Sequence, residues 1–195
     1  MNAQLEMAVA ALSRGGVVVV PTDTVYGIAV RATDRAAVAR MYELKARPEG
    51  VPIAVLVADT EQAASIGRFS GADRAVADAL WPGPLTLVVP ATVELSFTPD
   101  DGTVGIRCPD ADLVRAIAHA VGPLAVTSAN AHGAPTPTTA TDAAMSLAGE
   151  VDLIVDDGPR DGVPSTVATI GPPLVIHRQG DVTPRALTAV LDGRD

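Results

Sequence analysis

Aromatic side chains are scarce in this sequence, at 3% of residues, so its interior must be assembled from aliphatic groups rather than stacked rings. Cysteine is nearly absent. Cys108 stands alone, which excludes an intrachain disulfide and a cysteine-rich metal centre. The three histidines are dispersed and show no ligand spacing, so no tightly held transition metal is expected. Basic residues are outnumbered, 14 against 23 acidic, for a net charge of −9. That balance opposes long-range attraction to phosphate backbones and argues against a broad RNA-binding surface; any polyanion must be met by a few cations gathered in a pocket. Also lacking is any apolar run of the roughly 18 residues that a membrane span requires. The first residues, 1–14, contain Glu6 and no basic start followed by an apolar stretch, so the expectation is a cytoplasmic protein without a membrane anchor.

What the chain has in quantity is aliphatic residues. With 48% hydrophobic content over 195 residues it can bury a proper core, and its length predicts a single domain over 1–195. Leu5, Ala8, Val9 and Leu12 recur at helical spacing up to Gly15-Gly16, after which 17–20 form a β-branched run ended by Pro21. PTDTVYG (21–27) then reads as a polar loop. Asp34 can cap a helix with Val38, Met41 and Tyr42 on one face and Lys45 at its end. Short apolar runs at 53–58, 85–89, 104–108, 124–127, 153–155, 166–170 and 174–177 predict further strands, and 71–80, 111–121, 141–147 and 184–191 predict helices. Adjacent strand runs imply some antiparallel pairing. The fold class expected is therefore α/β (α+β), an open, twisted mixed β-sheet of about seven strands flanked by helices.

Four polar segments break the apolar pattern at element ends: PTDTVYG, KARP (45–48), TSAN (127–130) and PST (164–166). Converging strand ends would make of them a pocket of hydroxyls, an amide and a few cations, a chemistry that suits a small zwitterion and a nucleotide. Neither the Walker A nor the Rossmann pattern is present. Three of the segments also have a plainer reading: PTDTVYG as a turn, KARP as a solvated helix terminus, TSAN as a cap. Asp23 reads as an aspartate capping its own loop, Cys108 as a buried small apolar residue, and His119 as a structural helix residue.

The motifs GGVVVVPTDTVYGI, KARP, WPGPLTLVV, TVGIRCP, PLAVTSAN, HGAPTPTT, DGPRDGVPSTV and HRQGDV occur in this order over residues 15–181. Together they make the sequence resemble the YrdC-like threonylcarbamoyl-AMP synthase family, in its form with the catalytic domain only. The resemblance implies an enzyme, a nucleotidyltransferase, that joins L-threonine, bicarbonate and ATP, with Mg2+, into threonylcarbamoyl-AMP and pyrophosphate. It implies as partner a protein complex that transfers the threonylcarbamoyl group to tRNA, with only weak direct tRNA binding by this chain. Carried over by position, Thr24, Arg107, Ser128 and Ser165 would hold threonine. Arg47, Thr103, Asn130, Thr138 and Arg178 would hold the nucleotide, with Lys45 and Arg47 the catalytic cations; no protein metal site is implied. Two departures stand out: Val51 and Leu56 replace polar residues of relatives, and Arg31 is a candidate substitute. Two rival readings remain, an RNA-binding or ribosome-maturation factor of the same fold, and a module that makes carbamoyl-adenylate from carbamoyl phosphate.

Overall fold

The computed structural model describes residues 3–48 and 50–193. Among them nine strands follow one another as β1 (Val18–Pro21), β2 (Tyr26–Arg31), β3 (Ala54–Leu56), β4 (Leu85–Pro90), β5 (Thr103–Arg107), β6 (Leu124–Ser128), β7 (Leu153–Ile154), β8 (Thr166–Thr169) and β9 (Val175–Arg178). They pair into one sheet in the order β7-β1-β2-β6-β3-β5-β4-β8-β9. Pairing is mixed: β1–β7, β3–β5 and β4–β8 are parallel, the other five junctions antiparallel. The helices are α1 (Ala3–Ser13), α2 (Arg35–Leu44), α3 (Thr60–Ile66), α4 (Gly71–Leu80), α5 (Asp112–Val121), α6 (Ala140–Met145) and α7 (Pro184–Asp192). No helix is long and apolar enough to cross a membrane among the described residues.

Central strands read as unbroken apolar runs because both sheet faces are buried over β1, β2, β6 and β3. Val17, Val19, Tyr26, Ile28, Val55, Leu87, Ile106 and Ala125 point to one side, into a cluster with Val38 and Met41 of α2, Val76 of α4 and Leu187 of α7. Their neighbours Val18, Val20, Ala29, Leu56, Leu124 and Val126 point to the other, against Leu12 of α1 and Val114 and Ile117 of α5. Each such aliphatic side chain contributes about 1.5–3 kcal/mol when fully buried.

Two elements differ from the sequence expectation. β2 begins in what reads as the tail of a polar loop and adds one strand to the eight apolar runs, so strands number nine rather than about seven. Its apolar core is only Ile28, Ala29 and Val30, and Tyr26 and Gly27 hide its start; it forms because Pro21–Tyr26 closes a hairpin on β1. Helix α3 follows β3 directly, capped by Asp59, whose side chain accepts from Gln62 N. Asp34 caps α2 as its position predicts, accepting from Ala37 N.

Candidate active site

A cavity of about 450 Å³ lies over the sheet face that carries the α1–α5 layer, farther along, above β3, β5, β4 and β8. Period-two alternation supplies its floor: Ala54 and Leu56, Thr103, Gly105 and Arg107, Thr86 and Val88, Val126 and Ser128, Ser165 and Val167. Register places Val126, Ala54, Gly105 and Val88 in one row across four strands. The two smallest side chains sit at its middle and make the surface concave. A Cβ on Gly105 would already lie 3.2 Å from Thr86 Cγ2.

Of the residues expected at the site, the cavity brings together Thr24, Arg47, Thr103, Arg107, Ser128, Ser165 and Arg178. They arrive from the β1–β2 turn, the segment after α2, β5, the end of β6, the approach to β8 and the end of β9. The β1–β2 turn is rigid. Thr22 Oγ1 donates to Val25 O at 2.6 Å, accepts from Thr24 N and Val25 N at 3.1 Å, and lies 3.0 Å from Thr24 Oγ1. Arg107 is 5% exposed, and its guanidinium donates from Nε to Gly83 O at 3.0 Å, from Nη1 to Thr24 Oγ1 at 3.1 Å and from Nη2 to Asp23 Oδ1 at 2.5 Å. Arg178 donates from Nε to Ser165 O at 2.9 Å and from Nη2 to Ser165 Oγ at 3.1 Å, and that hydroxyl is 2.9 Å from Thr86 Oγ1. The strand and loop are locked together at Gly180, where a Cβ would stand 2.3 Å from Pro164 O.

Arg47 owes its aim to the way α2 ends. Ala46 N donates to Glu43 O at 2.9 Å and Arg47 N to Tyr42 O at 3.0 Å, the paired bonds of a Schellman motif. The left-handed position falls on Ala46, φ 47°, where glycine is usual. The turn sends Arg47 toward the cavity, its Nη2 donating to Pro52 O at 2.8 Å. Its Nε is the buried side-chain polar atom without a hydrogen-bond partner among the described residues. Burial pulls the Arg47 guanidinium below its ordinary value. Desolvation of its guanidinium, and then the charge of Arg107, does the same to Arg178, although the residue as a whole is exposed at the end of β9. These shifts mark cations held short of compensation, a setting that favours an incoming anion. The carboxylate on the cavity lining is Asp101, which accepts from Thr103 N and Thr103 Oγ1.

Three expected residues stand outside the cavity lining. Lys45 is 1% exposed, and its ammonium donates to the carbonyls of Ser128 and Asn130. As the C-cap of α2 it points its side chain under the end of β6. Burial, and secondly the charge of Arg47, lower its pKa to about 8. The Asn130 amide is occupied: Oδ1 accepts from Ser128 Oγ and Nδ2 donates to Ala134 O at 2.6 Å. Thr138 is exposed, and its carbonyl accepts from Arg160 N at 2.7 Å. Arg31 does not substitute for the lost polar contacts. It lies at the far end of β2, with Nε on Val121 O at 3.2 Å. Leu56 forms an apolar stretch of cavity wall, while Val51 contributes a carbonyl to Tyr42 Oη at 2.7 Å.

Sequence reasoning took Asp23 for the cap of its own loop, whereas its carboxylate accepts from Arg107, and it missed Thr86 and the carbonyl of Gly83; all three orient the arginines. It also missed Phe97, Thr98 and Pro99, which close one side of the cavity from the β4–β5 connection. Their signal was proximity alone: Asp23 adjoins Thr24, and Gly83 and Thr86 lie within WPGPLT.

Residues 10–180 match the family model of Sua5, YciO and YrdC, whose description reads "Telomere recombination". The chain belongs to this family. It is 37% identical over 195 residues to the threonylcarbamoyl-AMP synthase of Bacillus subtilis, covering 96% of this chain and 56% of that protein. It is 37% identical over 190 residues to a putative threonylcarbamoyl-AMP synthase of Mycobacterium tuberculosis, covering 94% of this chain and 87% of the relative. Among solved structures, Pyrococcus abyssi Sua5 complexed with L-threonine superposes with a TM-score of 0.90 at 32% identity, covering 96% of this chain and 57% of that one. Against the Bacillus protein and the Pyrococcus structure, then, the chain spans little more than half their length.

Proposed function

We propose that the chain is a threonylcarbamoyl-AMP synthase acting on L-threonine, bicarbonate and ATP. The observation that carries this reading is the gathering of Arg47, Arg107 and Arg178 with the hydroxyls of Thr24, Ser128 and Ser165 in one cavity of a chain whose net charge is −9. The synthase names of the bacterial relatives and the threonine held by the Pyrococcus protein support it.

The chemistry needs two anionic ligands side by side. Threonine's nitrogen first takes up bicarbonate as a carbamate, with loss of water. A carbamate oxygen then forms a bond to the α-phosphorus of ATP, the bond from that phosphorus to the bridging β-oxygen breaks, and pyrophosphate leaves with the electron pair. The transfer of AMP makes the enzyme a nucleotidyltransferase. Arg107 keeps two of its five N–H donors for threonine's carboxylate, and Thr24, Ser128 and Ser165 supply short neutral partners for its polar groups. Arg47 and Arg178 have no carboxylate partner among the described residues and take the phosphates, where charge accumulates as pyrophosphate departs. Thr103 borders the nucleotide. Lys45 and Asn130 act from below, holding the Ser128 end of β6 in shape, and Thr138 acts through the backbone that Arg160 ties down. Mg2+ would come with ATP and would offset the charge on the phosphates beside Arg47 and Arg178. The product passes to a threonylcarbamoyl-transfer complex acting on tRNA in the cytoplasm. The acidic surface fits weak direct contact with tRNA.

The test is pyrophosphate release with ATP, Mg2+ and labelled bicarbonate, with and without threonine. Strict dependence on threonine and bicarbonate together is expected. Release that depends instead on carbamoyl phosphate, or tight binding of bare tRNA without ATP or threonine, overturns the reading.

A further inference from the structure

Asp23 has no place in the chemistry above, yet it makes the ion pair at the cavity's most buried guanidinium. Its Oδ1 accepts from Arg107 Nη2 at 2.5 Å, with side-chain exposures of 12% and 6% for Asp23 and Arg107. It is absent from the cavity lining and belongs instead to the wall of a neighbouring groove, beside Asp157 and Arg160. The carboxylate therefore meets Arg107 from the side away from the ligand. Arg47 and Arg178 are different. Neither joins an ion pair among the described residues, and their hydrogen bonds go to carbonyls and a hydroxyl.

The two substrates differ in net charge far more than in the groups that touch arginine. Threonine is a zwitterion with no net charge, whereas a triphosphate carries several negative charges. An uncompensated guanidinium attracts ligands in proportion to their net charge, while a compensated one retains its directed N–H bonds and loses most of that long-range pull. The cavity thus has two unpaired arginines suited to polyphosphate and one paired arginine suited to a carboxylate.

We infer that Asp23 is a positioning and specificity-determining residue: by neutralising Arg107 from behind, it reserves that guanidinium for the amino-acid carboxylate and keeps phosphate groups off it. The inference rests on the proposed synthase reading. It extends that reading by stating how a zwitterion and a polyanion are sorted within one cavity.

The experiment uses inorganic phosphate as the probe. In the unmodified protein, phosphate competes with ATP and not with threonine. In Asp23→Asn, whose amide oxygen can still accept from Arg107 Nη2, phosphate becomes competitive with threonine, with an inhibition constant at that subsite at least about tenfold lower than in the parent. Calorimetric threonine affinity changes much less. Thr24→Val, which removes a different Arg107 partner and leaves the Asp23 charge, weakens threonine binding without admitting phosphate; a merely structural role for Asp23 would make the two variants alike. Phosphate competing with threonine in the unmodified protein overturns the inference, as does an unchanged ratio of threonine to phosphate affinity in Asp23→Asn. Failure of the unmodified protein to bind threonine at all in calorimetry would instead overturn the synthase reading beneath it.

Discussion

Replacing Lys45 with methionine separates the two things its ammonium does. It satisfies the carbonyls of Ser128 and Asn130, and it is a buried charge whose ion-pair partners, among the described residues, include no carboxylate. Methionine nearly matches the volume and supplies no donor, so two carbonyls lose a partner, at about 1–3 kcal/mol each. Against this stands the cost of burying the charge. A pKa lowered from 10.5 to about 8 corresponds to at most about 3 kcal/mol, and about 2 kcal/mol once solvent screening is allowed for. For a base whose folded value lies below its unfolded value, that cost is fully present below pH 8. Between about 8 and 10.5 the unfolded chain holds more protons, so stability rises with pH through this window. A neutral amine still has two N–H groups for the two carbonyls. The stability deficit of Lys45→Met relative to the parent should therefore widen by about 2 kcal/mol from pH 7.5 to pH 10. Urea unfolding of both proteins at each pH measures this, because every other titrating group cancels in the difference. A gap that stays constant or narrows refutes the claim that the lysine is buried as a strained cation.

Arg47→Ala should retain the parent's melting temperature, since the side chain's hydrogen bond is one to Pro52 O, and should lower pyrophosphate release by about 10²-fold; unimpaired turnover would remove Arg47 from the mechanism. Gly105→Val fills the centre of the cavity floor with a strand-favouring residue, so circular dichroism should be preserved while calorimetric binding of threonine and ATP is lost. Unchanged binding would place the ligands elsewhere. Ala46→Gly relieves the left-handed backbone at φ 47° and should raise stability by up to about 1 kcal/mol, read from the urea midpoint; a loss would show that the alanine is not strained.

How much of this was legible beforehand depended on the kind of signal. Helix α2 could be read in full, because Asp34 caps it and Val38, Met41 and Tyr42 share its buried face. The strands β3 to β6 announced themselves as short apolar runs, since one face lies in the core and Ala54, Leu56, Val88, Gly105 and Val126 keep many cavity-facing positions apolar or small. β2 could not, because its apolar core is three residues long and its first residues, Tyr26 and Gly27, read as the end of a polar turn. The arginines were recognisable from their motifs, but their restraints were not: Asp23 lies 84 positions from Arg107 and Thr86 lies 79 from Ser165, contacts fixed only by strand order. Lys45 illustrates the opposite limit. Its residue type and motif suggested a phosphate contact, and only the packing of α2 under β6 reveals that its ammonium is bound to carbonyls.

The most direct trial of the account is a crystal structure of the protein with L-threonine and a non-hydrolysable ATP analogue bound together. The account predicts threonine's carboxylate on the two remaining N–H groups of Arg107 and the phosphates between Arg47 and Arg178, within the one cavity. Ligands seated in the acidic groove beside Asp157, or on separate surfaces, would contradict it.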